Sequence, residues 1–269
     1  MLILRYLFEQ LSKILASRDK RLDFLPFTSP ESIFIIIGLY LSFVLKWGPW
    51  LMEHRKPFKI DRYLLFYNGF QVFCNSAILF YTIYSIVAEN YKVNFMCEPL
   101  DLSDSFVGMR SAQLTYSYML VKHLDLFDTI FFVLRKKAQQ ISFLHVYHHV
   151  AILFGAWLGV QYIPGGHVWI FGLLNLFVHI IMYSYYFGTV YYPKLKSNQL
   201  IKKSITQMQI IQFVLSICHL SIPLFHDDCN FPKTLLVVAI SQNLIMLVLF
   251  SDFYHSAYIK PNRIKAKAN

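Results

Sequence analysis

Long apolar runs alternate along this chain with short polar breaks. The runs predict seven membrane-spanning helices: about Ser32 to Leu51, Tyr63 to Val87, Ser111 to Leu134, Ser142 to Tyr162, His167 to Tyr191, Ile205 to Phe225 and Thr234 to Ile259. The third is the least apolar, because it holds Lys122, Asp125 and Asp128. Turn and charge signals separate the runs: Arg55-Lys56-Pro57, Arg135-Lys136-Lys137, Pro164-Gly165-Gly166, Tyr192-Pro193-Lys194 and Asp227-Asp228-Cys229. The expected fold class is an all-α membrane protein. Residues 1–30 form an N-terminal arm, 31–259 one seven-helix domain, and 260–269 a basic tail. There is no sequence repeat and no low-complexity tract.

Composition excludes a soluble domain. Of 269 residues, 56% are hydrophobic and 15% charged, against about a quarter charged in ordinary soluble domains. The arm has no small-residue cleavage site after its apolar-basic stretch, so it is expected to be an uncleaved amphipathic segment and not a signal peptide. Four cysteines are too few for a disulfide scaffold.

Charge then orients the helices. The loops after spans one, three and five, with the tail, hold fifteen of the 25 basic residues. The loops after spans two, four and six hold three: Lys92, Arg110 and Lys233. Positive charge marks the cytosolic side, so the C-terminus is expected in the cytosol. The arm, with five basic residues on the other side, breaks the rule. The net charge of +10 lies largely in these loops, where it meets anionic lipid, and no nucleic-acid partner is expected.

In this orientation four helices bring polar residues to one depth. Span three carries Lys122, Asp125 and Asp128, and span four opens with His145, His148 and His149. Span five brings Asn175, His179, Tyr183 and Tyr186, and span six Thr206, Gln207, Gln209 and Gln212. Spacings of three and four keep most of them on one face of each helix. Ionisable groups at membrane depth are expensive to insert and mark functional sites. Together they predict a polar chamber in the cytosolic half above an apolar slot, a shape suited to a substrate with a soluble head and a hydrocarbon tail.

These residues resemble the ELO family of fatty-acid elongases, condensing enzymes of the endoplasmic reticulum. The family signatures read here as Lys122-x-x-Asp125-x-x-Asp128-Thr129, His145-x-x-His148-His149, His179-x-x-Met182-Tyr183-x-Tyr185-Tyr186 and Thr206-Gln207-x-Gln209-x-x-Gln212. They stand in family order and spacing, and the resemblance covers nearly all of the chain after Pro26. One position departs: the family usually has glutamate where Asp125 stands.

The resemblance implies that a long-chain acyl-CoA condenses with malonyl-CoA to 3-oxoacyl-CoA, releasing CO2 and CoA. It implies spans two to seven surrounding a narrow acyl tunnel closed at the lumenal end. It also implies that His148, the middle histidine of the box, is the acyl acceptor. Cys74 and Cys218 fall in apolar stretches and Cys97 and Cys229 in lumenal loops, so imidazole is the strongest nucleophile near the chamber. His179 is assigned to the second substrate or the enolate. Asp125 and Asp128 are expected to fix an imidazole tautomer, so that Asp125→Asn lowers turnover and leaves the fold intact. Asn175, Tyr183, Gln209 and Gln212 are orienting groups or interhelical contacts, with Lys122 and Tyr186 beside them. Lys202, Lys203 and Arg263 are candidates for the CoA phosphates. No bound cofactor or metal is expected. The reductase and dehydratase of the elongation cycle, and a second copy of the chain, are expected partners. Lys265 and Lys267 resemble a cytosolic dilysine retrieval signal for the endoplasmic reticulum.

Two other classes compete. A di-metal desaturase also carries His-x-x-His-His, but it needs about three such boxes, and the other histidines of this chain form none. A transporter would place its polar site near the membrane midplane, whereas here it lies off-centre. The orientation also predicts a disulfide between Cys97 and Cys229, in an oxidising lumen, against the alternative of two unpaired thiols.

Overall fold

A computed structural model describes residues 17–88 and 90–260. Among them there is no strand. Seven long helices follow one another: α1 (Pro30–Met52, with a π-helical stretch at Phe43–Trp47), α2 (Asp61–Ala88), α3 (Phe106–Leu134), α4 (Phe143–Tyr162), α5 (Trp169–Tyr191), α6 (Gln199–Ser221) and α7 (Lys233–Tyr254). Six are long and apolar enough to cross a membrane. The chain is thus a multi-pass membrane protein. The exception is α3, whose 29 residues are long enough but hold Arg110, Lys122, Asp125 and Asp128.

Local chemistry sets the ends. Ser29, Ser105, Ser142 and Asn198 cap the starts of α1, α3, α4 and α6, each accepting from the backbone N–H three residues on. α3 stops where Lys136 turns left-handed (φ 54°) and the amides of Lys136 and Lys137 return to the carbonyls of Val133 and Phe132. Between α4 and α5, Gly165 and Gly166 have φ of +92° and +57°. A Cβ on Gly166 would also lie 2.6 Å from the Phe231 ring, so the turn requires glycine there.

Helices α2 to α7 form a closed ring in the spatial order α2, α3, α4, α7, α6, α5. The ring divides into two three-helix units, α2–α3–α4 and α5–α6–α7, which meet through α2 against α5 and α4 against α7. α1 stands outside and packs on α3 and α4. One end of the ring carries the basic loops. At the other, Cys97 and Cys229 form a disulfide with their Cα atoms 5.7 Å apart, as the orientation predicts. It joins the α2–α3 loop to the α6–α7 loop.

The described part of the arm lies at the disulfide end, where two of its basic residues have specific partners. Arg21 pairs with Asp19 at 2.7 Å and donates to the carbonyl oxygens of Ser103 and Asp101. Arg18 pairs with Asp23 and donates to Gln161 at the end of α4. The Trp157 indole N–H donates to the Thr28 carbonyl. Two of the five charges that break the positive-side rule are thus paired.

Candidate functional site

The basic half of the ring holds an ion pair with no exposure at all. Lys122 Nζ lies 2.9 Å from Asp125 Oδ2, one helical turn apart on α3, and both side chains are 0% exposed. Burying charge is costly unless the partners are well hydrogen-bonded, and the surrounding helices supply the bonds. Gln71 of α2 donates to Asp125 Oδ1 at 2.8 Å, and the Tyr183 hydroxyl of α5 lies 3.0 Å from the same oxygen and 2.6 Å from Asp128 Oδ2. Lys122 Nζ also sits 4.9 Å from the centre of the Tyr118 ring, whose hydroxyl donates to Asn175 at 2.8 Å.

The histidines border this cluster. His179 Nδ1 is 3.5 Å from both Asp125 Oδ2 and Lys122 Nζ. Asp125 therefore serves Lys122 first and His179 second. Asp128 is held by Tyr183, and no histidine is bonded to it among the described residues; the expectation that both carboxylates fix imidazoles is corrected for Asp128. Its geometric reason is that Asp125 and Asp128 are one turn apart and Tyr183 bridges them. On α4, His145 packs edge-on against His149 at 4.3 Å between ring centres, and His148 lies 5.6 Å from His149. His145 Nε2 meets the Thr129 hydroxyl at 2.9 Å. His148 makes no hydrogen bond to protein among the described residues, and its ring edge faces Phe250.

His148 instead faces an apolar cavity of about 410 Å³ inside the ring. The cavity runs from His148, Tyr118, Asn175 and Gln212 past Leu158, Leu173 and Met246 to the loops at the disulfide end. There it meets Glu98, Asp101 and Arg110, polar residues at the end where the sequence pattern suggests a largely apolar half.

The remaining candidates are placed as follows. Gln212 is buried and lines the cavity, whereas Gln209 is half-buried and its amide lies 3.7 Å from the Met182 sulfur. Tyr186 is exposed, with its ring edge on Tyr183. Lys202 and Lys203 are half-buried at the start of α6, Lys203 lying 5.8 Å from the Tyr254 ring. Arg263, Lys265 and Lys267 lie outside the described residues. No group of three His, Cys, Asp or Glu side chains is placed to hold a metal ion among the described residues.

Sequence reasoning missed the α2 contribution. Tyr67, Gln71 and Asn75 are buried at four-residue spacing; Gln71 donates to Asp125 and to the Tyr67 hydroxyl, and Asn75 donates to the Gln71 carbonyl. Their signal was that spacing, hidden inside an otherwise apolar run. It also missed Asn243, buried on α7 and lining the cavity.

The chain is similar to known proteins over nearly its whole length. It is 38% identical over 248 residues to a very long chain fatty acid elongase 7 of Rattus norvegicus, covering 91% of this chain and 88% of that protein. It is 36% identical over 250 residues to a very long chain fatty acid elongase 4 of Homo sapiens, covering 92% and 78%. A very long chain fatty acid elongase of Aedes aegypti is 41% identical over 229 residues; the match covers 85% of this chain but spans only 63% of that relative's length. The family model of the GNS1/SUR4, or ELO, family matches residues 25–266, and the chain belongs to that family.

Proposed function

We propose that this protein elongates fatty acids by condensing a long-chain acyl-CoA with malonyl-CoA, through an acyl-imidazole on His148. The observation that carries the proposal is the position of His148: it faces the apolar cavity and is bound to no other protein group. The acyl chain lies in the cavity with its thioester carbonyl at His148. The imidazole attacks that carbonyl, a C–N bond forms, the C–S bond breaks, and CoA leaves as the thiol with the proton from the ring. Malonyl-CoA then loses CO2, and the resulting enolate carbon attacks the acyl carbonyl. The C–N bond breaks, 3-oxoacyl-CoA forms, and the departing ring nitrogen takes one proton from water, which regenerates His148.

His179, on the facing helix and held beside Asp125 and Lys122, binds the thioester oxygen on which the enolate charge develops. Gln212 and Asn175 border the same space. Lys202, Lys203 and Arg263 hold the CoA phosphates at the basic end. The reaction calls for no bound cofactor. In this reading the basic end and the C-terminus face the cytosol, the membrane is that of the endoplasmic reticulum, and a reductase and a dehydratase take the product onward.

The purified protein, given acyl-CoA alone, releases one equivalent of CoA and retains the acyl group in a hydroxylamine-sensitive bond. Labelled malonyl-CoA then chases that group into product. A protein that condenses without forming the adduct overturns the role of His148, and one that condenses none of a panel of acyl-CoAs overturns the activity.

A further inference from the structure

α1 stands outside the ring, yet one of its side chains reaches the histidine box. Tyr40, buried at 5% exposure, places its hydroxyl 2.7 Å from the Thr129 hydroxyl of α3, and Thr129 is itself fully buried. The other contact of Thr129 Oγ1 is His145 Nε2 at 2.9 Å. Among the described residues Thr129 is the one hydrogen-bond partner of the Tyr40 phenol, and donation from Tyr40 to Thr129 and from Thr129 to His145 Nε2 is the arrangement that uses both hydroxyl protons. The bonds run in one direction: Tyr40 to Thr129 to His145. The His145 ring is the one packed edge-on against His149, which in turn packs on His148.

We infer that Tyr40 and Thr129 are positioning residues for the histidine box. Tyr40 fixes the Thr129 rotor, and Thr129 fixes the tautomer and ring plane of His145, on which the edge-on imidazoles leading to His148 rest. The inference depends on the role proposed for His148. The Tyr40–Thr129 bond is buried and the Thr129–His145 bond part-buried, so removing one oxygen at Tyr40 leaves the packing of α1 in place and frees the Thr129 hydroxyl to turn.

Tyr40→Phe tests this in the full-length protein. Its kcat for condensation falls about tenfold, the worth of one buried hydrogen bond, while KM for acyl-CoA and the melting temperature stay near wild type. Thr129→Val falls equally, and Thr129→Ser, which keeps the hydroxyl, retains wild-type kcat. The double variant Tyr40→Phe/Thr129→Val is no slower than Thr129→Val alone, because both act along one chain of bonds. Wild-type kcat in Tyr40→Phe, or losses that multiply in the double variant, overturns the relay. If Tyr40→Phe fails to fold, the Thr129→Val and Thr129→Ser pair decides, and equal kcat in the two sinks it. A wild-type protein that forms no acyl adduct removes the role of His148 instead, a failure separate from these.

Discussion

Two histidines at opposite ends of the ring, His167 and His148, differ in how their nitrogens are used. At the disulfide end His167 and His219 stack face to face, 4.0 Å between ring centres. His167 Nε2 donates to the His219 carbonyl at 2.9 Å, and His167 Nδ1 accepts the Glu98 amide. Both nitrogens of His167 are spent on backbone, which leaves no lone pair for chemistry. At the basic end His148 has no protein hydrogen bond among the described residues and lines a cavity. The residue type is the same, and bonding separates an imidazole fixed to backbone from one left open to a cavity.

The sharpest way to break this contrast is to delete one histidine from each end. His148→Ala lowers condensation by roughly 10³-fold or more, as loss of a covalent nucleophile does, and leaves the melting curve in place. His167→Ala leaves the Glu98 amide without a partner, while the His219 carbonyl keeps the Ile222 amide; this costs about 1–3 kcal/mol of stability and spares turnover per folded molecule. Equal loss of turnover in the two variants would collapse the distinction.

The buried ion pair comes next. From sequence alone, Asp125→Asn should spare the fold. The structure reverses that expectation, because Asn leaves Lys122 charged and unpaired at 0% exposure. The expected cost is about 3–5 kcal/mol, read as a lowered melting temperature in detergent. Asp125→Glu keeps the charge and the fold. An Asp125→Asn protein as stable as wild type would show that Lys122 is not held as an ion.

At the disulfide end, replacing Cys97 and Cys229 with alanine costs roughly 2–4 kcal/mol and leaves turnover per folded molecule unchanged. In the denatured, unreduced wild type, thiol reagents label Cys74 and Cys218 alone, and label all four cysteines after reduction. Four labels before reduction would remove the bridge.

The smallest effect concerns Asp101. Its carboxylate accepts from the hydroxyls of Ser103 and Ser105, both at 2.6 Å, and from the Ser103 amide, which hold it below the usual carboxylate range. A depressed folded value means that its stabilisation is complete above the unfolded pKa of about 4 and is lost as pH falls through the lower folded value. Asp101→Asn should therefore flatten the acid side of the melting-temperature profile below about pH 4. An unchanged profile would show that this cap does not respond to pH.

Much of this was legible in the sequence because the signals were local. Apolar runs gave the helices, and α3 was legible in spite of Lys122, Asp125 and Asp128 through the apolar residues between them. Loop charges brought Cys97 and Cys229 to one end before any coordinate was known. What stayed hidden depended on distance across the ring. Tyr67 and Gln71 lie within the apolar run of α2, and only the packing of α2 beside α3 and α5 brings Gln71 to Asp125. Tyr40 carried no signal, since a lone tyrosine in an apolar helix is commonplace and Thr129 lies 89 residues away.

The placement of the disulfide has a mechanical consequence. It ties the α2–α3–α4 unit to the α5–α6–α7 unit at one end only, with Cys97 on one and Cys229 at the α6–α7 turn of the other. Elsewhere the same two units are joined by side-chain packing alone, α2 on α5 and α4 on α7. The basic end lies about 35 Å away along the 23 residues of α6, so the covalent tie and the buried ion pair hold opposite ends of one ring.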